Sequence, residues 1–168
     1  MKKQITTIII CLIMSVSIYS QQLLGHINSQ EIISIMPEAA KAQLELQKTL
    51  EDLQEQGQML AVEYENQLKE FQLNQEGMSE AIRTVQLQQL QQMETNITAF
   101  QQTAQQSLQQ EEAKLFEPIL TKIQNAIDVV AEKNGYSYVF DIGGAAAGLV
   151  YKNDTHDLTN YVKSELKL

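Results

Sequence analysis

Between Gln21 and Leu168 the chain has no cysteine; the single one, Cys11, sits in an apolar N-terminal segment. No disulfide framework is available there, so stability has to come from packing or assembly. Histidine is almost as scarce. His26 and His156 are isolated, and without a cysteine they make a poor metal set, better read as a strand and a loop residue. Basic residues are outnumbered, 12 Lys and Arg against 21 Asp and Glu. Residues 1–20 hold two of the lysines and no acid, so the remainder carries 10 basic and 21 acidic residues, a formal charge of −11. Nucleic acid and anionic membrane surfaces, both of which recruit basic patches, are disfavoured as partners.

Catalytic signatures are missing as well. Gly143 to Gly148 has the glycine spacing of a phosphate loop, but Leu149 and Val150 follow where Lys and Ser or Thr are needed. No nucleophile elbow and no zinc-protease helix occurs. Asp141, Asp154 and Asp157 suit turns and caps better than a catalytic pair. The expectation is a protein without cofactor, metal or enzymatic activity.

What is there begins with "MKKQITTIIICLIMSVSIYS": a Lys2-Lys3 start, an apolar stretch and small residues near its end. That pattern predicts a secretory leader over residues 1–20, cut near Ser20. The strong run from Ile8 to Ile18 is shorter than the roughly twenty apolar residues that span a bilayer. Bulky Ile10 stands before Cys11, where lipoprotein processing wants a small residue.

Past the leader, "QLLGHINS" alternates, with Leu23, Gly25 and Ile27 on one face, and predicts a short strand. Asn28 or Ser29 can cap a helical turn through "QEIISIM", and Pro37 with Glu38 suits the first turn of a longer helix. Steps of three and four from Gln43 then trace an imperfect heptad seam through Leu46, Leu50, Leu53, Leu60, Tyr64, Phe71, Met78 and Val85. A second series runs from Leu90 through Met93, Ile97, Phe100, Leu108, Leu115, Ile119 and Ile123 to Val130. Eleven of the twenty-five residues from Gln86 to Gln110 are glutamine, a good helix former, and the embedded apolar residues keep the helical period. "NQEGMSE" around Gly77 is the best reversal point, and Pro118 is expected to kink or break the second helix.

After Val130 the period changes. Asn134 and Gly135 form a helix stop. Tyr136, Tyr138 and Phe140 are expected on one face of a strand, "GGAAAG" in a turn, and "LVYKN" in a second strand of a hairpin. "DLTNYVKSEL" reads as a closing helix, capped by Asp157 or Thr159, whose packing face is Leu158, Tyr161, Val162 and Leu166. If the strands near residues 25, 139 and 150 share a sheet, the helical excursion between them must return to its start, which a hairpin does and a single rod does not. The fold class is α+β: a long antiparallel coiled-coil hairpin over 37–130 on a small body from 22–36 and 131–168, all within one unit, 21–168. So small a sheet leaves open edges that invite association of copies.

These blocks, "GHINSQEIISIMPEAAKAQLEL", the coiled-coil middle and "IDVVAEKNGYSYVFDIGG" through "LVYKNDTHDLTNYVKSEL", resemble the Skp/OmpH family of bacterial periplasmic chaperones. The resemblance implies a homotrimer in which strands of three subunits close a barrel-like body and three helical tentacles surround a cavity. It implies ATP-independent holding of unfolded outer-membrane proteins in the periplasm. Leu23, Ile27, Tyr138, Phe140, Leu149 and Tyr151 are the expected assembly-body residues. The charge departs from the family's basic pattern: Gln72 to Gln110 contains only Glu76, Glu80, Arg83 and Glu94 as charged residues, which disfavours lipopolysaccharide and anionic lipid. Client contact would rest on amides and on Met59, Met78 and Met93, whose flexible side chains re-pack against varied partners; coiled-coil packing is their other reading. A different class of function, an envelope adaptor whose coiled coil docks one folded partner, fits the same acidic, glutamine-rich arms.

Overall fold

A computed structural model of the chain describes residues 22–144 and 150–168. The expected leader over 1–20 and the expected strand position Leu149 lie outside them. In chain order the elements are β1 (Leu23–Ile27), α1 (Ser29–Ile35), α2 (Pro37–Asn74), α3 (Glu80–Asn134), β2 (Tyr136–Asp141) and α4 (Thr159–Glu165). Short 3-10 turns lie at Gln75–Gly77 and Asp154–His156.

Local chemistry sets each boundary. Asn28 caps α1, its side chain accepting from the Glu31 N–H at 3.1 Å. Met36 is extended, as a residue before proline prefers, and Pro37 opens α2 where no N–H is needed. The chain reverses between Asn74 and Glu80, and Ser79 caps α3 by accepting from the Ile82 N–H. Arg83 closes the reversal by donating to the Gln75 carbonyl at 3.0 Å. At the far end Gly135 takes the left-handed conformation, φ +73°, and its N–H donates to the Ala131 and Glu132 carbonyls. Pro118 neither breaks α3 nor ends it: the helix is continuous over its 55 residues. Proline removes only one ladder bond, and the apolar face on both sides of it, Leu115 and Ile119, stays packed against the base of the arm.

The two long helices form a hairpin, α2 spanning about 57 Å at 1.5 Å per residue. Its seam follows the heptad reading through Leu46, Leu53, Leu60, Tyr64 and Phe71, but the expected positions Leu50 and Val85 are exposed. Full burial occurs only at the base, among Ala39, Ala42, Ile119, Ile123, Ala126 and Val130, and at one upper level, Phe71 and Leu90. Two helices side by side cover each other on a single stripe, so the seam between those levels is only half-buried.

Below the arm, Ile27, Ile32, Met36, Leu158 and Val162 form the innermost core. Leu158 and Val162 are therefore on the packing face of α4 as expected, with Leu166 half-buried, whereas Tyr161 is 59% exposed. The sheet differs from the expected hairpin. β2 pairs with β1, in parallel, and Val150–Asn153 is not a strand. Asp141 ends β2 beside the start of α1: its carboxylate accepts from the Gly143 N–H at 2.9 Å and from Ser29. On the other side of β1, His26 bridges to Asp157 and its carbonyl accepts from the Leu158 N–H at 2.8 Å.

The facing of β2 also differs from the expected alternation. Leu23 pairs with Tyr136 but Leu24 pairs with Tyr138, so Ser137 is an extra residue on β2. One inserted residue flips everything beyond it to the opposite face. Tyr136 and Val139 consequently turn inward, while Tyr138 and Phe140 turn outward, 55% and 47% exposed.

Candidate interaction surfaces

The body presents one unusual surface. β2 pairs only with β1 among the described residues, so its outer backbone edge carries free donors and acceptors. Tyr138 and Phe140 project from the same strand, and Leu24 beside them is 51% exposed. Of the residues expected to build the assembly body, Ile27 is buried in the chain's own core and Leu23 is half-buried. Tyr151 is 82% exposed on an irregular segment, so it shares no strand with Tyr138 and Phe140.

Beneath this surface lies a polar joint. His26 is 4% exposed, and its Nε2 lies 3.6 Å from Asp157 Oδ2. Burial pushes the Asp157 carboxyl up, but hydrogen bonds from Thr159 and the neighbouring His26 and Lys152 side chains outweigh it and hold it below the usual carboxylate range. Lys152 approaches Asp154 at 3.3 Å and Asp157 at 3.8 Å. His156 meets the Tyr136 hydroxyl at 3.2 Å through Nδ1. No group of three metal-ligating side chains occurs among the described residues. Nor is any described helix long and apolar enough to cross a membrane.

The arm carries two grooves in its upper half. One, of about 380 Å3, lies between α2 and α3, floored by Phe71, Leu90 and Met93 and edged by Glu63 and Glu70. The other, of about 530 Å3, lies along α2 and includes Met59, Val62, Glu55 and again Glu63. The three methionines singled out from the sequence do not converge. Met59 is 59% exposed in the second groove, Met93 is half-buried in the first, and Met78 is half-buried at the reversal.

Heptad counting missed the apolar residues around the tip. Leu73 is 76% exposed, and Ile82 and Leu87, like the expected seam position Val85, are each about half exposed. Leu73 stands two residues past the seam position Phe71, and that off-register leucine is a signal readable in the sequence. Across the upper arm the Tyr64 hydroxyl donates to Glu94, which raises the phenol above its ordinary range.

The arrangement defines a class of protein: a long two-helix arm on a small sheet that joins the two ends of the chain. The sequence profile of the family described as "Outer membrane protein (OmpH-like)" matches residues 24–166, and the chain belongs to that family. Among solved structures, it is similar to a protein of Caulobacter crescentus CB15 proposed as an outer membrane chaperone (OmpH-like). The two superpose with a TM-score of 0.71 at 12% identity, over 89% of this chain and 87% of that one. At that identity the likeness speaks for the fold. None of the curated proteins matches the chain significantly in sequence.

Proposed function

We propose that this chain is a periplasmic holdase chaperone, exported by cleavage of residues 1–20, that binds unfolded outer-membrane proteins without ATP and acts as a homotrimer. The observation that carries the reading is a seam left half-buried along an arm that also exposes Met59, Val62, Leu73 and Ile82. Surface of this kind offers many weak, adaptable apolar contacts spread along the arm. Assembly through the free β2 edge and the outward Tyr138 and Phe140 would bury aromatic area and group several arms around one space. Membership of the OmpH-like family and the fold shared with a proposed outer membrane chaperone support the same reading.

The test is aggregation of several unrelated barrel proteins diluted from denaturant. Suppression of all of them at near-stoichiometric amounts of this protein is the expected result. Binding to a single folded envelope protein, with no suppression, would replace the holdase by an adaptor. Native mass spectrometry is expected to give three copies per particle; a monomer at micromolar concentration removes the enclosed cavity.

A further inference from the structure

We infer that the groove between α2 and α3 near the tip selects segments of unfolded chain in which arginine or lysine neighbours an apolar side chain, and discriminates against acidic segments. The inference rests on the holdase reading and names the chemical class of what the arm holds.

Three features of the groove converge on that occupant. Its floor, Phe71, Leu90 and Met93, is apolar, with Phe71 and Leu90 themselves buried, so it accepts an apolar side chain without rearranging the seam. Its edge carries the Glu63 and Glu70 carboxylates, seven residues apart and so about 10 Å apart along one face of α2. That is about three residues of extended polypeptide. Gln86 also lines the groove, and its Oε1 is buried with no hydrogen-bond partner among the described residues. An unsatisfied buried acceptor is costly, and a rotation of the Gln86 amide toward the groove would let it accept an N–H from an extended segment.

Charge complementarity decides the sign. From Glu51 to Glu76 seven acids stand against Lys69 alone, and from Gln86 to Met93 there is no charge at all. Glu94, just beyond, already accepts from Tyr64. An acidic segment entering here would meet like charges with only Lys69, outside the groove's lining, to offset them. A guanidinium would find carboxylates on one side and an aromatic and sulfur floor on the other.

The test uses the full chain and two fluorescent octapeptides with blocked ends, one alternating leucine with arginine, the other leucine with glutamate. Anisotropy at about 0.15 M salt is expected to show the arginine peptide binding at least ten-fold more tightly. Glu63→Gln combined with Glu70→Gln is expected to reduce that ratio below about three-fold. Both carboxylates are exposed, so helicity by circular dichroism stays unchanged. Glu111→Gln with Glu112→Gln, which removes the same charge lower on the arm, is expected to preserve the ratio and so separates the groove from the overall negative field. Equal binding of the two peptides, or a preference that survives the Glu63 and Glu70 changes, overturns the inference. Barrel aggregation run in parallel keeps the two readings apart. Suppression without a peptide preference sinks the groove's selectivity and leaves the holdase, whereas a groove-dependent preference without suppression does the reverse.

Discussion

Asp141 and Ser29, 112 positions apart, are joined twice: the Asp141 carboxylate accepts from the Ser29 backbone N–H at 3.0 Å and also from its hydroxyl. The pair ties the end of β2 to the start of α1 and thereby holds the two segments that flank the arm together. Burial pushes the Asp141 carboxyl up, but hydrogen bonds from the Ser29 hydroxyl, the Gly143 N–H and the Ser29 N–H outweigh it, and the net direction is down. A carboxyl lowered on folding stabilises the folded state above its unfolded value, near 3.9. That contribution is lost as pH falls through the lower folded value. Asp141→Ala is expected to cost about 1–2 kcal/mol at pH 7. Thermal melts of both proteins across pH 2–7 should show the difference narrowing only at the acid end.

Gly25 has no room for a side chain. A Cβ there would come within 2.9 Å of Tyr136 Cδ1 and 3.0 Å of Leu158 Cδ1, and both of those residues pack in the core. Gly25→Val should destabilise by about 1–3 kcal/mol, the usual range for overpacking, read as a lower denaturant midpoint.

Gly135 is constrained by conformation instead of space. Nothing lies within 4 Å of a Cβ built on it, but its φ of +73° penalises any L side chain. Gly135→Ala is expected to cost about 1–2 kcal/mol, while Gly77→Ala, in open space with no positive φ, should be close to neutral. Comparing the two melting temperatures separates backbone strain from loss of a contact.

Tyr138 and Phe140 point away from the core, so replacing both by serine should leave the fold of the single chain intact. If the assembly buries this face, sedimentation velocity is expected to show the particle falling to one-chain mass with unchanged helicity. Retention of the assembly would place the interface elsewhere.

Much of this architecture was legible in the sequence because it rests on local rules. Asn28, Pro37 and Gly135 punctuate helices through their own side-chain or backbone chemistry, and the reversal around Gly77 follows from the return the chain has to make. What escaped were features set by distant partners. Alternation placed Tyr138 and Phe140 with Tyr136, and one unpaired residue, Ser137, reversed that facing. A common sheet for the strands near residues 25 and 139 was expected and is there, but apolar content near residue 150 also suggested a third strand, and Val150–Asn153 is irregular. The groove between α2 and α3 was invisible for the same reason: Glu63 and Glu70 meet Leu90 and Met93 only once the arm has folded back.

The parallel pairing of Leu23 with Tyr136 also fixes an order of events on the ribosome. At about 5–20 residues per second, β1 waits roughly six to twenty seconds before β2 has been made. A product ended early by a stop codon or a protease keeps a full-length arm yet never acquires the strand that seats it. A check on length is thus built into the body itself: only a chain that extends past Asp141 can close the sheet.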